Sequence, residues 1–175
     1  SYGKSIELVP GKFKPRDYQA KALKSAIKNG SGIIKSATGS GKSKILCSIA
    51  AYYNIPTIIY VIGIELLYQM RDTMKDAYGI DCGVVGGGEC DTSKQFTIMT
   101  IWSAAAAFNK KVKIVDNDTT QDSKKHISQI NKLEVQRLVQ SAQLFIFDEC
   151  QYAASETLQF LHRESRSAKH RFLLS

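Results

Sequence analysis

The sequence predicts an α/β protein built on a mostly parallel β-sheet with helices on both faces. Three observations carry that prediction. Short runs rich in β-branched residues alternate with stretches of helical periodicity, the order that successive βαβ units produce. One run, Thr57-Ile58-Ile59-Tyr60-Val61-Ile62, is nearly all apolar, as a strand is when both faces of its sheet are covered. Finally, Gly32 to Ser43 passes from an apolar run through small residues to Gly41-Lys42-Ser43, then into the helical spacing of Ile45, Leu46, Ile49 and Ala50. That is the strand, loop and helix order of a phosphate-binding loop.

The chain has 175 residues, enough for one domain that buries about 70% of its unfolded surface without disulfide staples. Its 43% hydrophobic and 23% charged residues are ordinary for a globular protein. No run approaches roughly 18 consecutive apolar residues, so no membrane span is expected, and Ser1-Tyr2-Gly3-Lys4 does not open a signal peptide. Cys47, Cys82, Cys90 and Cys150 show no Cys-x-x-Cys pairing and no nearby His at ligand spacing, which argues against zinc and for reduced thiols. The formal charge of +8 suits a polyanionic partner, most simply nucleic acid.

Taken in order, residues 1–12, with Gly3, Pro10 and Gly11, form a lead-in. Ala22, Leu23, Ala26 and Ile27 then recur at helical spacing behind Pro15, and Asn29-Gly30 closes that helix. The phosphate-loop strand and helix follow and break at Asn54-Ile55-Pro56. The strand at Thr57 leads to a helix over Glu65–Tyr78 with Leu66, Leu67, Met70 and Met74 inward. A short strand near Cys82–Val85 meets the turn Gly86-Gly87-Gly88, Phe96–Thr100 is another strand, and Trp102–Phe108 a short helix. From Asn109 to about Asn131 the chain is polar and without period, which predicts a mobile insertion. Helical spacing resumes over Leu133–Val139, Leu144-Phe145-Ile146-Phe147 is a buried strand, and Phe172-Leu173-Leu174 begins the last one.

The chemistry follows from residue types. Small residues at Thr38, Gly39, Ser40 and Gly41 let backbone N–H groups curl around an anion, and the helix starting near Gly41 adds its positive end. Lys42 would reach the β- and γ-phosphates of a nucleotide and the Ser43 hydroxyl would ligate Mg²⁺. Ser36 stands where the usual pattern has its first Gly. Asp148-Glu149 at the end of an apolar strand complements such a loop: Asp148 to hold Mg²⁺, Glu149 to polarise water as general base. Asn109-Lys110-Lys111-Val112 and Asn131-Lys132-Leu133-Glu134 both lack the Asp of a guanine-reading loop, which disfavours GTP.

Ser36-Ala37-Thr38-Gly39-Ser40-Gly41-Lys42-Ser43 resembles motif I of superfamily 2 helicases, and Asp148-Glu149-Cys150-Gln151 resembles their motif II, with Gln151 in place of the usual His. Phe13-Lys14-Pro15-Arg16-Asp17-Tyr18-Gln19 is similar to the element upstream of motif I. That resemblance implies that Gln19 reads the adenine edge and Arg16 lies beside the base. Tyr60 to Gln69 resembles motif Ia, with Ile62-Gly63 where Pro-Thr is common, and Gly86-Gly87-Gly88 with Thr100-Ile101-Trp102 resembles the glycine turn and the motif Ib/Ic segment. The resemblance therefore implies nucleic-acid backbone contacts at Gly63, Gln69, Gly87, Gly88 and Thr100. It runs from Phe13 to Ser175 and is nearest to phage branch-migration helicases of the UvsW type.

What the resemblance implies is a RecA-like ATP-binding lobe over 13–175 that stops at motif III, uses ATP and Mg²⁺, and works with a second RecA-like lobe. Its implied partner is DNA, single-stranded or branched, or else RNA, with no membrane, in a cytoplasm such as that of a phage-infected host. Gln151 would bridge the γ-phosphate region to motif III with altered coupling. Two other readings stay open: a DNA translocase of restriction or remodelling type that does not unwind, and a non-hydrolysing nucleic-acid-binding module with a vestigial loop. The Lys-rich insertion and the cluster Arg163, Arg166, Lys169 and Arg171 are candidate DNA contacts.

Overall fold

A computed structural model describes residues 16–35, 41–110, 129–148 and 155–174. In chain order these form α1 (Asp17–Asn29), β1 (Gly32–Ile34), α2 (Lys42–Tyr53), β2 (Thr57–Val61), α3 (Ile64–Tyr78), β3 (Gly83–Gly86), β4 (Glu89–Cys90), β5 (Phe96–Thr100), α4 (Ile101–Ala107), α5 (Gln129–Ser141), β6 (Leu144–Phe147), α6 (Ser155–Glu164) and β7 (His170–Leu174). The strands make one sheet in the order β1-β7-β6-β2-β5-β3-β4, parallel throughout except for the β3–β4 hairpin.

The apolar strands predicted from sequence are the central ones. In β2, Ile59 sits opposite Ile98 of β5 on one side and Ile146 of β6 on the other. Side chains alternate across the pleat, and both faces are filled. Ile59, Val61, Ile98, Ile146 and Phe172 pack with Leu23 of α1, Leu46 and Ile49 of α2 and Met70 of α3. Ile58, Tyr60, Met99, Phe145 and Phe147 pack on the opposite face with Ala104 of α4, Val135 and Val139 of α5 and Leu161 of α6. Each such Val, Leu, Ile, Phe or Met side chain contributes about 1.5–3 kcal/mol by leaving water. This is the doubly covered, mostly parallel α/β sheet that the sequence predicts.

Three differences have local causes. β4 forms because the Gly86–Gly88 turn folds Glu89-Cys90 back on Val85-Gly86. α5 starts at Gln129, inside the stretch read as a polar insertion, and the rest of that stretch beyond Lys110 lies outside the described residues. α6 has no counterpart in the sequence reading: among its described side chains Leu161 alone is fully buried, so its apolar stripe is narrow.

Candidate functional site

Because the strands are parallel, β1, β6, β2, β5 and β3 all end at the same rim of the sheet. Gly41 and Lys42 follow β1, Asp148 follows β6, Gly63 follows β2, Thr100 ends β5, and Gly86 ends β3. Only β7 separates β1 from β6, so those two strand ends stand roughly 10 Å apart. Residues 42 and 148, distant in sequence, are thereby brought to one rim.

At α2 the first turn carries Lys42 and Ser43, no acidic residue, and no capping hydrogen bond from a described side chain. Its N–H groups thus keep their donors and the positive end of the helix dipole for an anion. Ser43 and Cys47 are four residues apart and share one face of α2. Burial above all, then the neighbouring Cys82 and Asp148, pushes the Cys47 thiol far above the usual thiol range. The Asp148 charge is therefore close enough to α2 to be felt at Cys47. Asp148 is buried, and its N–H donates to Tyr60 O at 3.1 Å, extending the β6–β2 ladder past the strand end.

Gln19 is 4% exposed, and its Oε1 accepts from the Arg16 N–H at 2.9 Å, closing the first turn of α1. The other end of that carboxamide reaches α2: a Cβ built on Gly41 would lie 2.5 Å from Gln19 Nε2 and 3.2 Å from Tyr18 Oη. Gly41 is the residue that lets α1 and the start of α2 meet. The sequence reading missed Tyr18, which is 53% exposed beside this junction. The signal was its place directly before Gln19. The Arg16 side chain is exposed at the same end of α1.

Farther along the rim, Gly63 begins α3 with φ 99°, a conformation costly for any side chain. Gly87 and Gly88 also have positive φ, and a Cβ on Gly87 would meet Tyr68 Oη at 3.0 Å and Ile64 Cγ2 at 3.3 Å. Tyr68 donates to Glu89 Oε2 at 2.8 Å, and the Arg71 guanidinium lies 4.8 Å over its ring, so the first turns of α3 and the glycine turn are one packed unit. Gln69 is exposed on α3. Thr100 is buried: its hydroxyl accepts from Ser103 N–H at 3.2 Å and bonds Ser103 Oγ at 2.8 Å, which commits it to the start of α4.

Of the expected site residues, the rim thus gathers Arg16, Gln19, Gly41, Lys42, Ser43, Asp148, Gly63, Gly87, Gly88 and Thr100. Thr38, Gly39, Ser40, Glu149 and Gln151 lie outside the described residues. Of the basic cluster near the C-terminus, Arg171 points inward and donates to the carbonyls of His162 and Ser165, both at 2.8 Å, at the end of α6.

The family model described as "Type III restriction enzyme, res subunit" matches residues 12–174. The DNA 3'-5' translocase XPB2 of Sulfurisphaera tokodaii is 37% identical over 97 residues, 55% of this chain and 22% of that protein. Among solved structures, the UvsW helicase of bacteriophage T4 superposes with a TM-score of 0.68 at 18% identity, covering 97% of this chain and 56% of that one. A hypothetical ATP-dependent RNA helicase from Sulfolobus tokodaii gives 0.65 at 14% identity, covering 94% and 47%. The chain spans about half, or less, of the length of each of these relatives. With the parallel sheet, the rim and the match over 12–174 together, the chain belongs to the family of the type III restriction enzyme res subunit.

Proposed function

We propose that this lobe binds ATP with Mg²⁺ at the β1–β6 end of the rim and nucleic acid at the β2–β3 end, so that events at one end are felt at the other. The observation that carries this reading is the convergence of the α2 N-terminus, which no described side chain caps, with Lys42, Ser43 and the buried carboxylate of Asp148 on one rim, and with Gln19 packed at Gly41. The donor set fits the ligand: amides and Lys42 for the phosphates, the Ser43 hydroxyl and the Asp148 carboxylate as hard oxygen donors for Mg²⁺. When bound, the magnesium nucleotide supplies the transferable phosphoryl group. The chain's own part is to hold it, with the Gln19 Nε2 end presented toward the base and Glu149 proposed to take the proton of an attacking water. Gln151 is proposed to link this end to motif III.

The partner is DNA, single-stranded or branched, or RNA, and the second RecA-like lobe belongs to a longer parent protein in a cytoplasm-like compartment. By itself this lobe turns over ATP slowly, because an arginine finger supplied by another lobe is worth roughly 10³–10⁵ in rate. A relative named as a translocase favours a second reading within this one, movement on duplex DNA without strand release. A role in phage-type recombination or repair is the finer form of the first reading. Strand-displacement assays on the longer parent separate the two.

The decisive test is Lys42→Ala with a fluorescent ATP analogue. At least a tenfold loss of affinity is expected, about 1.4 kcal/mol or more. Unchanged affinity would leave a nucleic-acid-binding module with a vestigial loop.

A further inference from the structure

The charge of this lobe is split between its two edges. From Arg16 to Tyr53, Asp17 is the sole acidic residue, against basic residues that include Lys21, Lys24, Lys28 and Lys35. From Ile64 to Lys94, Glu65, Asp72, Asp76, Asp81, Glu89 and Asp91 outnumber Arg71, Lys75 and Lys94. The first segment builds the β1 edge of the sheet and the second builds the β3–β4 edge. Five strand spacings, roughly 24 Å, separate β1 from β3, about three screening lengths at physiological salt, so the acidic edge does not neutralise the basic one. The half of the rim assigned to nucleic acid is therefore the half less suited to attract a polyanion.

The basic edge has a defined form. Lys21, Lys24 and Lys28 are exposed at i, i+3 and i+7, one face of α1, and span about 10 Å. At the far end of α1 an open cleft of about 450 Å³ is lined by Lys28, Ser31, Tyr52, Tyr53, Lys169 and His170. Lys169 is exposed in the same lining, and with Lys28 it outweighs the half-charge of the α1 C-terminus. A smaller groove of about 190 Å³, lined by Ser25, Asn29, Ser31 and Lys35, lies between α1 and the β1 edge.

We infer that the α1 face, from Lys21 to Lys28 and across to Lys169, is a second nucleic-acid contact, separate from the rim, that holds the phosphate backbone of a duplex. A rigid straight row of cations fits a regular polyanion with one charge per about 1.7 Å of axis. Surfaces that hold single strands interleave free aromatic platforms with the charges; along the α1 row no aromatic residue stands between Lys21 and Lys28, and in the cleft the Tyr53 ring is already packed against Tyr52 and His170, at 5.3 and 4.3 Å between centroids. This inference rests on the function proposed above and adds a place where duplex flanking the worked strand is gripped.

The test is the triple variant Lys21→Gln/Lys24→Gln/Lys28→Gln of the whole chain, compared with the charge-matched Lys75→Gln/Lys94→Gln/Arg137→Gln on other faces. Glutamine keeps the helix propensity of lysine, so both variants should fold. Binding of a blunt duplex is titrated over a range of salt, beside fluorescent ATP analogue affinity. The expected result is a log–log salt slope shallower by about 0.9 for each lysine that meets a phosphate, ATP affinity unchanged, and a control close to wild type. An unchanged slope, or an equal change in the control, overturns the inference. So does polyglutamate that competes as well as duplex at equal charge, which would mark an acidic protein as the partner. If the wild-type chain binds neither ATP nor duplex, the proposed function itself fails. If it binds both and the triple variant leaves the slope intact, only this inference does.

Discussion

A methyl group at position 41 would sit 2.5 Å from Gln19 Nε2, inside the distance any real contact tolerates. The carboxamide is buried and tied at its other end to the Arg16 N–H, so Gly41→Ala must swing it out of place. Nucleotide affinity should fall, and discrimination of ATP from GTP should fall with it, while the melting temperature moves by only a few degrees. A large loss of stability with binding intact would show the junction to be structural. His162 offers a second test. Arg171 can only donate, so the 2.9 Å contact between its guanidinium and His162 Nδ1 makes that nitrogen the acceptor and leaves the ring proton on Nε2. Burial, then the Arg171 charge, lowers the His162 pKa below its ordinary 6.5. The unfolded chain thus binds the proton first, and this contribution to stability is complete above about pH 6.5 and is lost as pH falls through the folded value. Melting temperature should be flat above neutrality and decline on acidification. His162→Gln should flatten that decline, and an identical profile in the variant would remove His162 as its cause. The chemistry at these two positions was only half legible. Gln19 could be picked out beside the phosphate loop, but the inward turn of Arg171 depends on α6, which the sequence reading did not contain.

At the scale of elements, α4 depends on its cap. Thr100 closes the first turn through Ser103, and both residues are buried. Thr100→Ala should therefore cost about 1–2 kcal/mol in chemical denaturation, from the lost cap and the Ser103 hydroxyl left without it. Thr100→Ser should recover most of that. A variant of unchanged stability with weakened nucleic-acid binding would instead favour the phosphate contact implied by the resemblance. The strands β2, β5 and β6 were legible because burial on both faces demands unbroken apolar runs, and α1 to α3 because their stripes are broad and end at Gly30, Asn54 and Gly79. The antiparallel β4, only two residues long, was not legible, since Glu89-Cys90 carries no strand pattern and pairs only because the glycine turn returns it to β3. Nor was the start of β7, where His170 and Arg171 are polar residues drawn into the ladder by Leu144 and Phe145.

Strand order belongs to the whole molecule and to no segment of the sequence, because it is set by pairings across most of the chain. β7, the last strand made, lies between β1 and β6, with Gly32 opposite Phe172 and Phe147 opposite Leu173. Until residues 170–174 are in place, β1 has no described strand partner and the core lacks Phe172 and Leu174, both fully buried. Losing a buried Phe costs about 3–5 kcal/mol and a buried Leu about 2–5, against a total stability of about 5–15 for a domain of this size. The loss is comparable to the whole, so a chain ending before Lys169 should fail to fold rather than fray at one edge. Phe172→Ala alone should leave a folded protein, weaker by about 3–5 kcal/mol, with one cooperative transition. Circular dichroism melts of the two chains check this. A cooperative transition in the shortened chain, with slow amide exchange confined to β2, β5 and β3, would mean that those strands form a nucleus stable without the edge that carries Lys42.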